Sequence, residues 1–154
     1  MKVADLMTPA TVSDSPDDTL ADASKKMWAQ QTGSLLVMER SKLIGIITER
    51  DCLRAMAEGD DPTKTSVRDT MTKDVVTIGP GTKLRDAAAI MFDHWFRHLP
   101  VATEQGDVVG IISLRDLLSV VAQGMDEPEA LTELTGHSLV RDRRLERIEA
   151  GDLD

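Results

Sequence analysis

Two carboxylates in this chain stand three residues after a hydroxyl, each at the end of a short apolar run. They are Thr48 and Asp51 in "GIITERD" (45–51), and Ser113 and Asp116 in "GIISLRD" (110–116). The run reads as a β-strand and the residues after it as a helix, so each pair marks a strand-to-helix corner. Two chemistries suit such a pair. In a capping box the hydroxyl accepts from one exposed N–H of the first turn and the carboxylate from another. In a ligand site the helix N-terminus offers unpaired N–H groups and partial positive charge to a phosphate. The hydroxyl then adds a hydrogen bond, and the acid accepts both hydrogens of a ribose diol. A glycine in each run, Gly45 and Gly110, would let a flat base approach the backbone. The chain also holds a control. "TLAD" (19–22) is a capping box without a corner strand, and its counterpart "TKLR" (82–85) has lost the acid, whereas both corner pairs keep their types.

The elements that position these corners are written twice. The corners lie 65 residues apart, and upstream "VADLMT" (3–8) matches "VRDTMT" (67–72) at an offset of 64. That offset also pairs Pro16 with Pro80, Leu20 with Leu84, Asp22 with Asp86, Ala23 with Ala87 and Met27 with Met91. The extra residue falls between "MERSKLIG" (38–45) and "ATEQGDVVG" (102–110), where polar residues and Gly106 predict a turn that tolerates an insertion.

Within each copy, "ATVSD" (10–14) and "DVVTI" (74–78) read as strands stopped by "SPDD" and "GPGT". Leu20, Ala23, Met27 and Trp28, then Leu84, Ala87, Ala88, Met91, Phe92 and Trp95, recur at the spacing of amphipathic helices of about four turns. "SLLVM" with "KLIGIIT", and "HLPVAT" with "DVVGIIS", predict hairpins, and second helices follow at 49–58 and 115–124. The order is β-α-β-β-α, twice. Repeat one takes residues 1–58, a turn-rich linker 59–66, repeat two 67–124, and a charged tail 125–154 in which Leu139, Leu145 and Ile148 suggest a short helix. A chain of about 60 residues buries only ~60% of its surface alone. The expected fold is therefore α/β of the α+β type, two copies packed sheet to sheet about a pseudo-two-fold.

Repeat, element order and corners together resemble the CBS domain in its tandem pair, over residues 1–124, with "DLMT"/"DTMT", "HLPV" and both "GII[TS]xxD" corners carrying the likeness. The resemblance implies a non-catalytic regulatory module, often a homodimer arranged as a flat disc, that holds an adenosine-containing ligand (AMP, ADP, ATP or NAD type) between repeats. It gives ligand roles to the hydroxyl and acid at Thr48 and Asp51, and at Ser113 and Asp116. Each cleft would join one repeat's corner to the other's first strand and the residues entering "LPV". Asp51 would then face Val75, Val76 and the pair Arg97–His98, and Asp116 would face Thr11, Val12 and the neutral Gly33–Ser34. Related chains often carry the basic pair as His-Arg, while this one reads Arg-His. Because arginine's planar fork suits phosphate, the Asp51 cleft is expected to be the tighter site for a phosphorylated ligand. The Asp116 cleft is left empty or with a less charged adenosine compound.

Composition narrows the alternatives. A net charge of −9, with the basic run "RDRR" (141–144) interrupted by an acid, argues against nucleic acid or an anionic membrane surface. Four aromatic residues and no Tyr leave no stacking platform. The absence of an apolar core in "MKVADLM", and one cysteine in all, suggest the cytosol. No nucleophile triad, metal cluster or glycine-rich phosphate loop points to an enzyme, and no cofactor is required. Output would pass to an unknown effector protein or through self-association; the alternative is a scaffold that binds no nucleotide. Smaller candidates are His94 and His98, four apart on one expected helix; Cys52, expected as a small buried residue, with a pKa lowered by the helix start as the alternative; Met7 and Met71, expected at the domain edge; and Arg50 and Arg115, expected on solvated faces.

Overall fold

The computed structural model describes residues 1–10 and 13–124, the side chains of the last two excepted. Thr11, Val12 and the tail 125–154 therefore lie outside the described residues. Both corners belong to one compact unit, Met1–Leu118.

The fold is mixed α+β, with two small sheets and flanking helices. A 3-10 turn at Val3–Asp5 precedes β1 (Thr8–Pro9), β2 (Ser13–Asp14), α1 (Leu20–Gln30), β3 (Ser34–Glu39), β4 (Lys42–Thr48) and α2 (Glu49–Glu58). Then come α3 (Val67–Thr70), α4 (Leu84–Asp93), β5 (His98–Ala102), β6 (Val108–Ser113) and α5 (Leu114–Gly124). One sheet has the order β2-β3-β4 and the other β1-β6-β5. Each hairpin carries its register shift at the same repeat position, between Val37 and Met38 and between Val101 and Ala102. Among the described residues no helix is long and apolar enough to cross a membrane.

The leading segment of each repeat docks on the other. β1 pairs antiparallel with β6, Thr8 opposite Ile111 and Pro9 opposite Gly110. Its counterpart Thr72 bridges Ile46 in β4. The Val3 and Ala4 amides donate to Thr82 and Pro80 carbonyls at 2.8 and 3.0 Å; Val67 and Arg68 donate to Asp18 and Pro16 at the same distances. Val67 and Met71 are buried in the core of α1, β3 and β4, while Val3 belongs to the core of α4, β5 and β6, with Leu6 and Met7 packed against it. Met7 and Met71 are thus core-packing residues rather than edge residues. They also occupy the space that Gly45 and Gly110 leave open: a Cβ on Gly110 would lie 2.7 Å from Met7 Sδ and 2.8 Å from the Thr8 carbonyl, and one on Gly45 would collide with Met71. The glycines admit methionine and backbone from the other repeat, not a flat base.

Three other expectations change. Residues 74–78 do not form a strand; Ile78 alone bridges Val101 in parallel. Its N–H donates to the Pro100 carbonyl and its own carbonyl accepts from Ala102. Extending the pairing upstream would need an N–H from Pro100, which proline lacks. Leu36 stands at that place in repeat one, and there β2 pairs with β3. Helix α4 ends at Asp93, so Trp95, with φ +61°, lies beyond it. Trp28 is helical but 80% exposed, outside the core.

Candidate functional site

Both corners form as hydroxyl–acid boxes. Thr48 donates to Asp51 Oδ2 from N–H and from Oγ1, each at 2.8 Å, and the Asp51 N–H donates to Thr48 Oγ1 at 3.2 Å. Ser113 and Asp116 repeat the three bonds at 2.7, 2.7 and 3.3 Å. The same atoms that would meet a ligand close the first turn of α2 and of α5. Asp51 is buried, and its Oδ1 accepts from Arg54 at 3.3 Å. Asp116 is partly exposed. Thr19 and Asp22 form a third hydroxyl–acid pair at the start of α1, and Ser66 and Asp69 a fourth at the start of α3, a cap legible as S-x-x-D.

A cavity of about 970 Å³ lies between the repeats. Arg97, His98, Ser113 and Asp116 line it from repeat two, and Thr32, Gly33, Glu49 and Cys52 from repeat one. Trp28, Leu53, Met56 and Leu118 give it an apolar border. Of the residues chosen from sequence, the structure therefore brings Arg97, His98, Ser113 and Asp116 to one space. Thr48, Asp51, Val75, Val76 and Ser34 do not line it. Val76 packs against the core of repeat two. Ser34 is buried in β3 opposite Thr48, and its Oγ has no hydrogen-bond partner. Thr11 and Val12, as stated, are outside the described residues.

Arg97 crosses the cavity. Its Nη2 lies 3.0 Å from Glu49 Oε1, an ion pair that joins the entrance of β5 to the first residue of α2, two positions before Asp51. Sequence reasoning did not single out Glu49, since nothing in "TERD" reveals a partner 48 residues away. Burial holds the His98 imidazole below its usual pKa; Arg97 adds to this, while Glu49 and Asp116 oppose it. The balance favours the neutral imidazole, and Arg97 supplies positive charge at this end of the cavity.

The smaller candidates separate cleanly. His98 begins β5 whereas His94 caps α4, so the two do not share a helix; His94 stacks on Phe96 with ring centres 5.3 Å apart. Among the described residues no three His, Cys, Asp or Glu side chains gather as a metal site. Burial raises the Cys52 thiol pKa, with Asp51 and Asp14 adding to the rise and a hydrogen bond with Ser24 opposing it. Lowering by the helix start is outweighed, in line with a packed rather than an activated thiol. Arg50 and Arg115 are exposed, Arg115 at the cavity.

The comparisons agree with the doubled architecture. Residues 3–58 and 67–123 each match the CBS domain. The CBS domain-containing protein YhcV of Bacillus subtilis is 33% identical over 138 residues, which cover 89% of this chain and 97% of that protein. A crystal structure of CBSX2 in complex with AMP has a TM-score of 0.68 at 24% identity, covering 79% of this chain and 96% of that one. The CBS domain pair of protein MJ0100, in complex with 5′-methylthioadenosine and S-adenosyl-L-methionine, has a TM-score of 0.74 at 22% identity, covering 80% and 97%. At those identities the two complexes show a shared fold. The chain belongs to the CBS domain family and carries two of its domains in tandem.

Proposed function

We propose that this chain is a non-catalytic regulatory module that binds an adenosine-containing ligand in the cavity between its repeats and signals through self-association or to a partner protein. The observation that carries this reading is the convergence of Ser113, Asp116, Arg97 and His98 on one space of about 970 Å³, large enough for a nucleotide. The α5 N-terminus offers N–H groups and partial positive charge there, Asp116 would accept from a ribose diol, and Arg97 provides a cation. AMP in CBSX2, and 5′-methylthioadenosine and S-adenosyl-L-methionine in the MJ0100 pair, are consistent with adenosine as the shared element. The apolar border supports the second half of the proposal. Trp28, Leu53 and Met56 are 80%, 67% and 63% exposed, and a second copy seated on them would bury that surface and close the cavity over its ligand.

A thermal-shift panel of AMP, ADP, ATP, NAD and S-adenosylmethionine tests the reading. Binding at about 100 times the dissociation constant stabilises the fold by about 2.7 kcal/mol; no response to any member would leave a scaffold. Light scattering with and without the responding compound then tests whether two copies associate.

A second reading keeps the phosphorylated ligand at the Thr48–Asp51 corner. The buried, unpartnered Oγ of Ser34, on the strand paired with Thr48, favours it. Titrating Asp51→Ala and Asp116→Ala with the responding compound separates the two: the variant that loses affinity marks the occupied corner.

A further inference from the structure

We propose that Glu49 sets which adenosine compounds the cavity accepts: by holding Arg97 it disfavours an anionic 5′ phosphate and leaves room for a 5′ end that is neutral or cationic. This inference rests on the binding reading above. The pair joins the two repeats, Arg97 Nη2 to Glu49 Oε1 at 3.0 Å, and its backbones are fixed on both sides. The Glu49 N–H donates to the Gly33 carbonyl at 3.0 Å, and the Leu114 N–H donates to the Arg97 carbonyl at 2.9 Å. Those bonds are the same bond in the two repeats, for Gly33 is the counterpart of Arg97 and Glu49 that of Leu114. The acid and the base therefore each occur once, on opposite sides of the local two-fold. Gly33 leaves room for the contact. The Glu49 carboxylate rests 3.3–3.4 Å from where a Cβ on Gly33 would be.

The charges that line the cavity are Glu49 and Asp116 against Arg97 and Arg115, which balance. A phosphate entering beside Arg97 must draw the guanidinium away from a carboxylate of its own sign, and that carboxylate stays nearby. A thioether, hydroxyl or sulfonium 5′ end has no such competitor. Both members of the pair are about half exposed, so solvent screens the effect and it is a bias rather than a block.

Calorimetric titration of AMP and adenosine into wild type, Glu49→Gln, Arg97→Gln and the double variant tests this. Glu49→Gln, at an exposed first helical position, is checked for an unchanged melting temperature. Expected are adenosine binding at least as tight as AMP in wild type, and a gain of about three- to tenfold for AMP in Glu49→Gln with less than about twofold change for adenosine. Most of that gain should vanish in the Arg97→Gln background, the coupling that a double-mutant cycle isolates. An equal change for both ligands, no change, or a gain that survives intact without Arg97 overturns the role of Glu49 and leaves the binding reading standing. Wild type that binds neither compound, with no response to any member of the thermal-shift panel, overturns both.

Discussion

Gly45 and Gly110 show how one residue carries two readings that sequence does not separate. A glycine in a strand signals a close approach by something, and both were expected to admit a purine. What approaches is Met71 with Thr72 at Gly45, and Met7 with Thr8 at Gly110. Gly110→Ala should destabilise the protein by about 1–3 kcal/mol, because the Thr8 carbonyl, 2.8 Å from the new Cβ, is backbone paired to β6 and cannot swing aside. Urea denaturation measures it, and a neutral result would mean the exchanged segment is looser than its hydrogen bonds imply. The corner acids were legible for the opposite reason. Their partners are three residues away, so spacing alone places Thr48 against Asp51 and Ser113 against Asp116. Arg97 was visible as a cation before "LPV", but Glu49 as its partner was not, since that contact depends on how two repeats meet.

At the scale of the element, the two copies differ where one has buried a carboxylate beneath a lysine. Asp14 stands at the position of Ile78, and Lys26 at that of Ile90. The Asp14 side chain is fully buried and accepts from Lys26 Nζ at 2.5 Å, and Lys26 also donates to Asp18 at 2.6 Å. Burial and the neighbouring Asp18 carboxyl push the Asp14 pKa up, against the pull of Lys26. Lys26→Met should cost about 2 kcal/mol, less than the 3–5 of a wholly buried pair because Lys26 remains 39% exposed. The double change Asp14→Ile with Lys26→Ile copies the second repeat's apolar pair and should regain that loss or exceed wild type. Thermal melts of the three proteins decide. If the double variant is less stable than Lys26→Met, the ion pair contributes more than its desolvation costs. Helices and hairpins were readable from periodicity, which reports each element's own faces. The single bridge at Ile78 was not, because it depends on whether the neighbouring strand has an N–H at Pro100.

For the whole molecule, the exchanged leading segments decide what folds with what. The sequence repeats begin at Val3 and Val67, yet Val67 is fully buried in the first core and Val3 in the second. Each core is thus completed by a segment that the repeat boundary assigns to the other, and the two are tied in both directions. Such an arrangement should unfold as one cooperative unit. Val3→Ala and Val67→Ala, each deleting wholly buried methyl groups for about 2 kcal/mol, should each lower the midpoint of the same single transition. Tryptophan reports it from both repeats: Trp28 lies in α1, and Trp95 follows α4. Urea curves of Trp28→Phe, which leaves Trp95, and Trp95→Phe, which leaves Trp28, should each coincide with the circular dichroism curve of the same variant. Fluorescence that moves apart from circular dichroism, or a Val67→Ala change that shifts only the Trp28 signal, would show two cores that fold separately and merely touch. The cavity would then be a seam between independent bodies, and a ligand held across it could shift their spacing without stabilising either one. With a single transition, a ligand bound at Asp116 and Arg97, as proposed, would stabilise both repeats together, and the apolar border on α1 and α2 would respond to a site whose acid lies on α5.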